Sequence, residues 1–219
     1  MSYDALIFDM DGVLVPNSPR WAFERAAAQA LEASGVDAHT ERDRELLSGF
    51  PTDLDDAERH FTEQHDVSLA ELWYRRERFA SANQLRLLRA GEKEPYEDVD
   101  VLPTLAADLA VVSNNQHATV ESVVRLHDIE QHVEVWSGLE PGLQGMRRRK
   151  PAPWYLQAAN DALEGDTALY IGDQPSDVAA ASHAGMDSAL LTRTGGPADV
   201  DPSPTHQITS LEALPALRG

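Results

Sequence analysis

Apolar and polar positions follow two rhythms along the chain, and the change between them divides it into three blocks. Ala5-Leu6-Ile7-Phe8 is apolar on both faces and stops at the polar turn Asp9-Met10-Asp11-Gly12, the pattern of a buried strand. From Pro19 to about Ala90 the period becomes helical. Trp21, Phe23, Ala27, Ala30 and Leu31 recur at helix spacing with Gly35 as a stop, and further helices are predicted over 53–65 and 68–89. The stretch Leu46-Leu47-Ser48-Gly49-Phe50-Pro51 breaks this pattern, and no strand signal occurs within the block. After Pro95 strands and helices alternate. Strands are predicted at 109–112, 132–136, 168–171 and 188–191, with helices at 118–127, at 153–163, through Ala184 and from Leu211. Gly195-Gly196-Pro197 and residues 201–204 read as loops. Short strands, apolar throughout and alternating with helices, predict an α/β protein whose parallel sheet is covered on both faces. The middle block then reads as an all-helical insertion: core over 1–15 and 95–219, insertion over 16–94.

Composition narrows the function classes. No cysteine occurs, which excludes disulfides, thiolate nucleophiles and thiolate metal sites. The start of the chain has neither a basic segment nor an apolar core of signal-peptide type, and no apolar run approaches the roughly 20 residues of a membrane span. The expected address is the cytoplasm, without membrane association, as a monomer or dimer. Acidic residues outnumber Lys plus Arg 37 to 18, a net charge of −19, and the only lysines are Lys93 and Lys150. Such a surface repels polyanions, so no nucleic-acid partner is expected. The acidic excess has two readings: plain solubility, or adaptation to a high-salt cytoplasm in which screening removes the self-repulsion.

The candidate chemistry collects where predicted strands end. In an open parallel sheet ligands bind beyond the carboxyl ends of the strands. Those ends carry Asp9 and Asp11, then Ser113 and Asn114, then Asp173 followed by Asp177, while Lys150 precedes a helix. An aspartate after a strand is, taken singly, most often a cap or turn former. Several such ends converging would group four carboxylates with a hydroxyl, an amide and an ammonium. Clustered carboxylates call for a hard cation, and Mg²⁺ favours an all-oxygen donor set. A lysine and a hydroxyl facing that cation make a pocket for a phosphoryl group.

Four motifs in order give the chain a family resemblance. Asp9-Met10-Asp11-Gly12-Val13-Leu14 follows the first strand, Val111-Val112-Ser113-Asn114 ends the second, Lys150-Pro151 precedes a helix, and Gly172-Asp173-Gln174-Pro175-Ser176-Asp177 leads into an alanine-rich helix. Together they resemble the haloacid dehalogenase superfamily, in its phosphatase branch with a helical cap, from residue 5 to about 192. The resemblance implies a Rossmann-like core with an inserted all-helical cap. It implies Asp9 as the nucleophile that forms an aspartyl-phosphate and Asp11 as the acid and base. Ser113, Asn114 and Lys150 would bind phosphate, and Asp9, Asp173, Asp177 and the backbone carbonyl of Asp11 would hold Mg²⁺. The cap segment Ser48-Gly49-Phe50-Pro51, with Gly49 and Phe50, resembles a specificity loop facing substrate. The substrate expected is a small phosphorylated metabolite, with phosphoglycolate or a sugar phosphate as nearest analogies.

Some features stand apart from that pattern. Pro16-Asn17-Ser18 replaces the Asp-Ser/Thr common after the first motif, and Gln174 stands where serine is frequent. Asp11 argues against carbon–halogen cleavage, because dehalogenases generally lack the second acid of the pair. A phosphosugar mutase on the same chemistry and a non-catalytic regulatory protein are the alternatives. The Arg147-Arg148-Arg149 run before Lys150 reads as local focusing of an anionic substrate, although an acidic nucleic-acid-associated module would also use it. The eight histidines show no paired ligand spacing and read as surface or core residues. Trp73, Tyr74 and Trp154 read as packing residues.

Overall fold

The structure is a computed structural model that describes residues 3–163, 165–194 and 199–217. The predicted loop Gly195-Gly196-Pro197 lies outside the described residues. The chain divides into two compact units, one formed by Met1–Asn17, Lys93–Leu139 and Arg148–Gly219, the other by Ser18–Glu92 and Glu140–Arg147. Among the described residues no helix is long and apolar enough to cross a membrane.

The first unit is a six-stranded parallel sheet with helices, a Rossmann-like α/β fold. Its strands are β1 (Ala5–Phe8), β2 (Asp108–Gln116), β3 (Val135–Leu139), β4 (Ala168–Gly172), β5 (Asp187–Leu191) and β6 (His206–Ile208), in the spatial order β3-β2-β1-β4-β5-β6. All neighbouring pairs are parallel. The order reverses direction around β1, the topological switch point where such sheets bind ligands. β1 and β4 are buried along their whole length, as their unbroken apolar runs require. Ala5, Ile7, Ala110, Val112, Ala168 and Tyr170 project from the sheet onto Leu156, Ala159, Ala180 and Ala181 of helices α7 (Trp154–Leu163) and α8 (Pro175–Ala184). The alanines let both helices approach closely. The remaining helix of this unit, α5 (His117–Leu126), follows β2 directly.

Register positions the strand ends. Phe8 pairs with Val111 on one side and Ile171 on the other, so the segments that follow these residues start side by side. β2 runs further than the sequence pattern predicts, to Gln116, with a register irregularity against β3 between Val112 and Gln116. The polar run Ser113-Asn114-Asn115 hides this extension, because its residues are held by side-chain hydrogen bonds rather than an apolar pattern. β3 lies three residues later than predicted. His132 closes a short 3₁₀ turn (Ile129–Gln131), and Glu134 Oε2 accepts from the Leu109 amide at 2.8 Å before ladder pairing begins at Val135. β6 and a 3₁₀ helix over Glu97–Thr104 carried no recognisable pattern, and the C-terminal helix expected from Leu211 is 3₁₀ (Leu211–Ala216).

The second unit is helical: α1 (Arg20–Ala33), α2 (Glu41–Ser48), α3 (Leu54–His65), α4 (Leu69–Arg89) and most of α6 (Leu143–Arg148). Its core holds Ala27, Leu31, Leu47, Phe61, Leu72, Trp73 and Met146. Residues 140–147, read from sequence as part of the 95–219 segment, group with these helices instead. Met146 is fully buried among them, and Glu77 Oε2 accepts from the Gly142 amide at 2.6 Å. Helix α2 falls where the sequence predicts none. Its apolar content is low, and it forms on a capping box: Thr40 Oγ1 accepts from the Asp43 amide while the Asp43 carboxylate accepts from the Thr40 amide. Trp73 is buried, whereas Tyr74 and Trp154 are exposed rather than packed in the core.

Candidate active site

The candidate site is built at the C-terminal edge of β1, β2 and β4, where the shared register delivers one polar segment from each. Asp9 continues β1, its amide donating to Ile171 O at 2.8 Å, and the residue is 7% exposed. After it the chain folds back at once, with the Leu14 and Val15 amides both donating to Met10 O. Gly12 makes that turn at φ +80°, and a Cβ there would stand 2.2 Å from Asp173 Oδ2. Only glycine lets the β1 turn and the β4 carboxylate come so close. Gly172 is restricted in the same way: its Cβ would lie 2.3 Å from that of Asp177.

Lys150 lies at the centre of the acidic group. Its buried ammonium is 3.0 Å from Asp9 Oδ1 and 2.8 Å from Asp177 Oδ1, the latter an ion pair without hydrogen-bond alignment. It donates to Tyr170 Oη at 2.6 Å, and Tyr170 donates onward to Val112 O at 2.9 Å. Burial works against the charged ammonium, but Asp177 and Asp9 outweigh it and hold the Lys150 pKa above lysine's ordinary value. Burial pushes the Asp9 carboxyl up to about 7; Lys150 pulls it down, while Asp177 and Asp11 add to the rise. The Asp173 pKa is also raised, chiefly by burial. Three carboxylates are therefore held together at an electrostatic cost that one lysine does not remove.

The predicted residues converge, but not all in the predicted manner. Asp9, Asp173 and Asp177 each offer an oxygen within 4.8 Å of the others, so this donor set fits a hard divalent cation. Asp177 also organises its own turn, Oδ2 accepting from the Asp173 and Gln174 amides at 3.1 and 2.9 Å. The Asp11 carboxylate stands outside that triad, and the metal contact expected of Asp11 is through its backbone carbonyl instead. Its Oδ1 is paired with the Lys93 ammonium, and its Oδ2 accepts from Asn115 Nδ2 at 2.7 Å. Asn114 directs its amide to the backbone of Lys150, accepting from the amide at 2.8 Å and donating to the carbonyl at 3.1 Å. It thereby fixes the backbone of Lys150. Ser113, 3% exposed, accepts the Asn115 amide on Oγ at 3.2 Å.

Four further residues belong to this network without having been singled out as site residues: Lys93, Asn115, Tyr170 and Gln174, whose Nε2 donates to Asp173 Oδ2 at 2.8 Å. Tyr170 had a readable signal, a phenol in an otherwise apolar central strand that needs a polar partner. Lys93 had another, as one of two lysines in an arginine-dominated chain. The arginine run does not act as a block. Arg148 stacks on Trp154, its guanidinium carbon 4.2 Å from the ring centroid, while Lys150 turns inward. Gly49 and Phe50 lie in the helical unit, where Phe50 packs on Trp73 at a centroid distance of 5.8 Å.

Comparison with known proteins adds family information. The profile of the haloacid dehalogenase-like hydrolases matches residues 3–185. A search of curated proteins found no match. Among solved structures the chain resembles CbbY from Rhodobacter sphaeroides, determined in complex with phosphate, with 21% identity, a TM-score of 0.65 and 96% of both chains covered. A candidate phosphoglycolate phosphatase from Lactobacillus plantarum gives 21% identity, a TM-score of 0.65 and full coverage of both chains. A haloacid dehalogenase-like hydrolase from Streptococcus pneumoniae gives 18% identity, a TM-score of 0.63, and coverage of 98% of this chain and 97% of that one.

Proposed function

Because the chain belongs to the haloacid dehalogenase-like hydrolase family, we propose that it is a Mg²⁺-dependent phosphatase acting on a small phosphomonoester through an aspartyl-phosphate at Asp9. The observation that carries this reading is the convergence of Asp9, Lys150, Asp173 and Asp177 at one switch-point edge, with the Asp9–Lys150 ion pair at 3.0 Å. Asp9, Asp173 and Asp177 would hold the cation. When bound, it would neutralise the phosphate and ease its approach to a carboxylate.

The chain's own residues account for the rest. Asp9, as a carboxylate, needs no base to act as nucleophile. Lys150, fixed by Asn114 and Tyr170, presents one positive charge to the transferring phosphoryl oxygens, and Ser113 adds a hydroxyl. Asp11 protonates the leaving alcohol and then takes a proton from the hydrolytic water, with Lys93 and Asn115 orienting its carboxylate. Substrate selection is assigned to the helical unit as a cap, through the segment Ser48-Gly49-Phe50-Pro51. A phosphoglycolate-like or sugar-phosphate substrate agrees with the phosphate bound by CbbY and with a surface that repels polyanions.

A panel of small phosphomonoesters assayed with Mg²⁺, with and without chelator, tests the reading at both low and high salt. Phosphate release is expected only with the metal, and Asp9→Asn is expected to lower it by at least about 10³-fold. Wild-type turnover in Asp9→Asn would end the proposal. An isomeric sugar phosphate in place of free phosphate would mark a mutase.

A further inference from the structure

A second cluster of potential ligands lies within the helical unit. Asp43 of α2 is fully buried, although α2 is a short and strongly polar helix. Its Oδ2 accepts from the Thr40 hydroxyl at 2.8 Å and from the Thr40 amide. Its Oδ1 faces two imidazoles of α3: His60 Nε2 at 2.6 Å and His65 Nε2 at 3.2 Å. The three ligand atoms lie within 4.8 Å of one another.

The two rings are not equivalent. His60 makes an aligned hydrogen bond to Oδ1, but His65 Nε2 is out of line for one and is buried with no other hydrogen-bond partner. A buried ring nitrogen left in that state keeps a desolvation cost that no bond offsets. Buried carboxylates are, as a rule, paired or bound to metal. A cation among the three atoms would satisfy His65 and neutralise Asp43 together.

We propose that Asp43, His60 and His65 form a binding site for a divalent transition-metal ion of the zinc class in the helical unit. Two imidazoles and one carboxylate favour zinc or cobalt, whereas the all-oxygen set at Asp9, Asp173 and Asp177 favours magnesium. A tetrahedral ion with bonds near 2.0–2.1 Å sets its ligands about 3.3 Å apart, which small rotations of the two rings would reach. Thr40, holding the other carboxylate oxygen, is the outer support such ligands usually have. The ion would tie α2, whose only other buried side chain is Leu47, to the C-terminal half of α3. An eight-residue helix is marginal by itself, so the site is structural. It does not rest on the phosphatase reading.

The test uses the full chain, stripped with chelator and held in excess Mg²⁺ so that the all-oxygen site is occupied. Zn²⁺ is titrated by calorimetry and Co²⁺ by its visible absorption, with thermal melting alongside. The expected result is one Zn²⁺ per chain, a four-coordinate cobalt spectrum and a higher melting temperature with metal. His65→Gln and His60→Gln should each weaken Zn²⁺ by more than about 100-fold, since loss of outer-shell support alone costs 10–100-fold. Asp173→Asn should keep the cobalt spectrum. The proposal is overturned if the parent binds no Zn²⁺ under these conditions, if both histidine variants bind it unchanged, or if Asp173→Asn abolishes the spectrum.

Discussion

Both lysines of this chain are buried beside acidic side chains of the candidate site, Lys150 against Asp9 and Asp177 and Lys93 against Asp11. Elsewhere the cations are arginine. A compact ammonium on a flexible stem can end among carboxylates, where a planar guanidinium with five donors would need more room. Lys150 was legible from Lys-Pro before a helix. Lys93 lies outside any motif and reaches Asp11 across 82 positions of sequence, which no periodicity reveals. Its proposed task is to orient Asp11, so it is a positioning residue. Lys93→Met is expected to lower kcat by about 10–100-fold, part of what acid–base catalysis contributes. KM should stay nearly constant, and thermal stability should fall little, because the loss is in the orientation of Asp11. A fall in kcat matched by a fall in thermal stability and a rise in KM would mark Lys93 as merely structural.

At the scale of elements, the turn after β1 is held by a hub with no sequence signature. Arg193, just after β5, donates to the carbonyls of Gly12 and Val13 and forms a two-point pair with Asp98 at 2.8 and 3.0 Å. Asp98 also accepts from Ser210 Oγ and the Leu211 amide, joining the two 3₁₀ helices at Glu97–Thr104 and Leu211–Ala216. Burial works to raise the Asp98 carboxyl, but bonds from Arg193, Leu211 and Ser210 outweigh it and hold the pKa below the usual carboxylate range. The stabilisation is therefore present above the unfolded-state value near ~4 and disappears as pH falls through the lower folded value. Asp98→Asn is expected to cost on the order of 1–3 kcal/mol at neutral pH. That is below a fully buried pair because Arg193 keeps 21% of its side chain exposed. Denaturant titrations of both proteins at neutral and acidic pH should converge as pH falls; a constant gap would refute the charge argument. The same scale explains the missed helix α2, which rests on a cap and one buried aspartate rather than an apolar stripe.

For the molecule as a whole, a net charge of −19 on 219 residues leaves self-repulsion that only counterions relieve. If the surface is adapted to high salt, melting temperature should rise by more than about 5 °C between dilute and molar KCl, equivalent to one or two kcal/mol for a chain of this size. A flat curve would leave plain solubility as the explanation. Phosphatase activity, measured in the same series, is expected to follow stability.

Much of the architecture follows from local pattern alone. Apolar strands ending in Asp9-Met10-Asp11-Gly12, Ser113-Asn114 and Gly172-Asp173 implied a parallel sheet with its chemistry at one edge, because strand period and strand ends are short-range properties. What tertiary structure alone decided is which side chains meet. Shared register brings Phe8, Val111 and Ile171 level. From there Lys93 reaches Asp11, Tyr170 reaches Lys150, and Asn114 turns to the Lys150 backbone. In the helical unit, Asp43 meets His60 and His65 although the histidines showed no ligand spacing along the chain. These pairings depend on distances in space, and sequence separation carries no information about them until packing has chosen the neighbours.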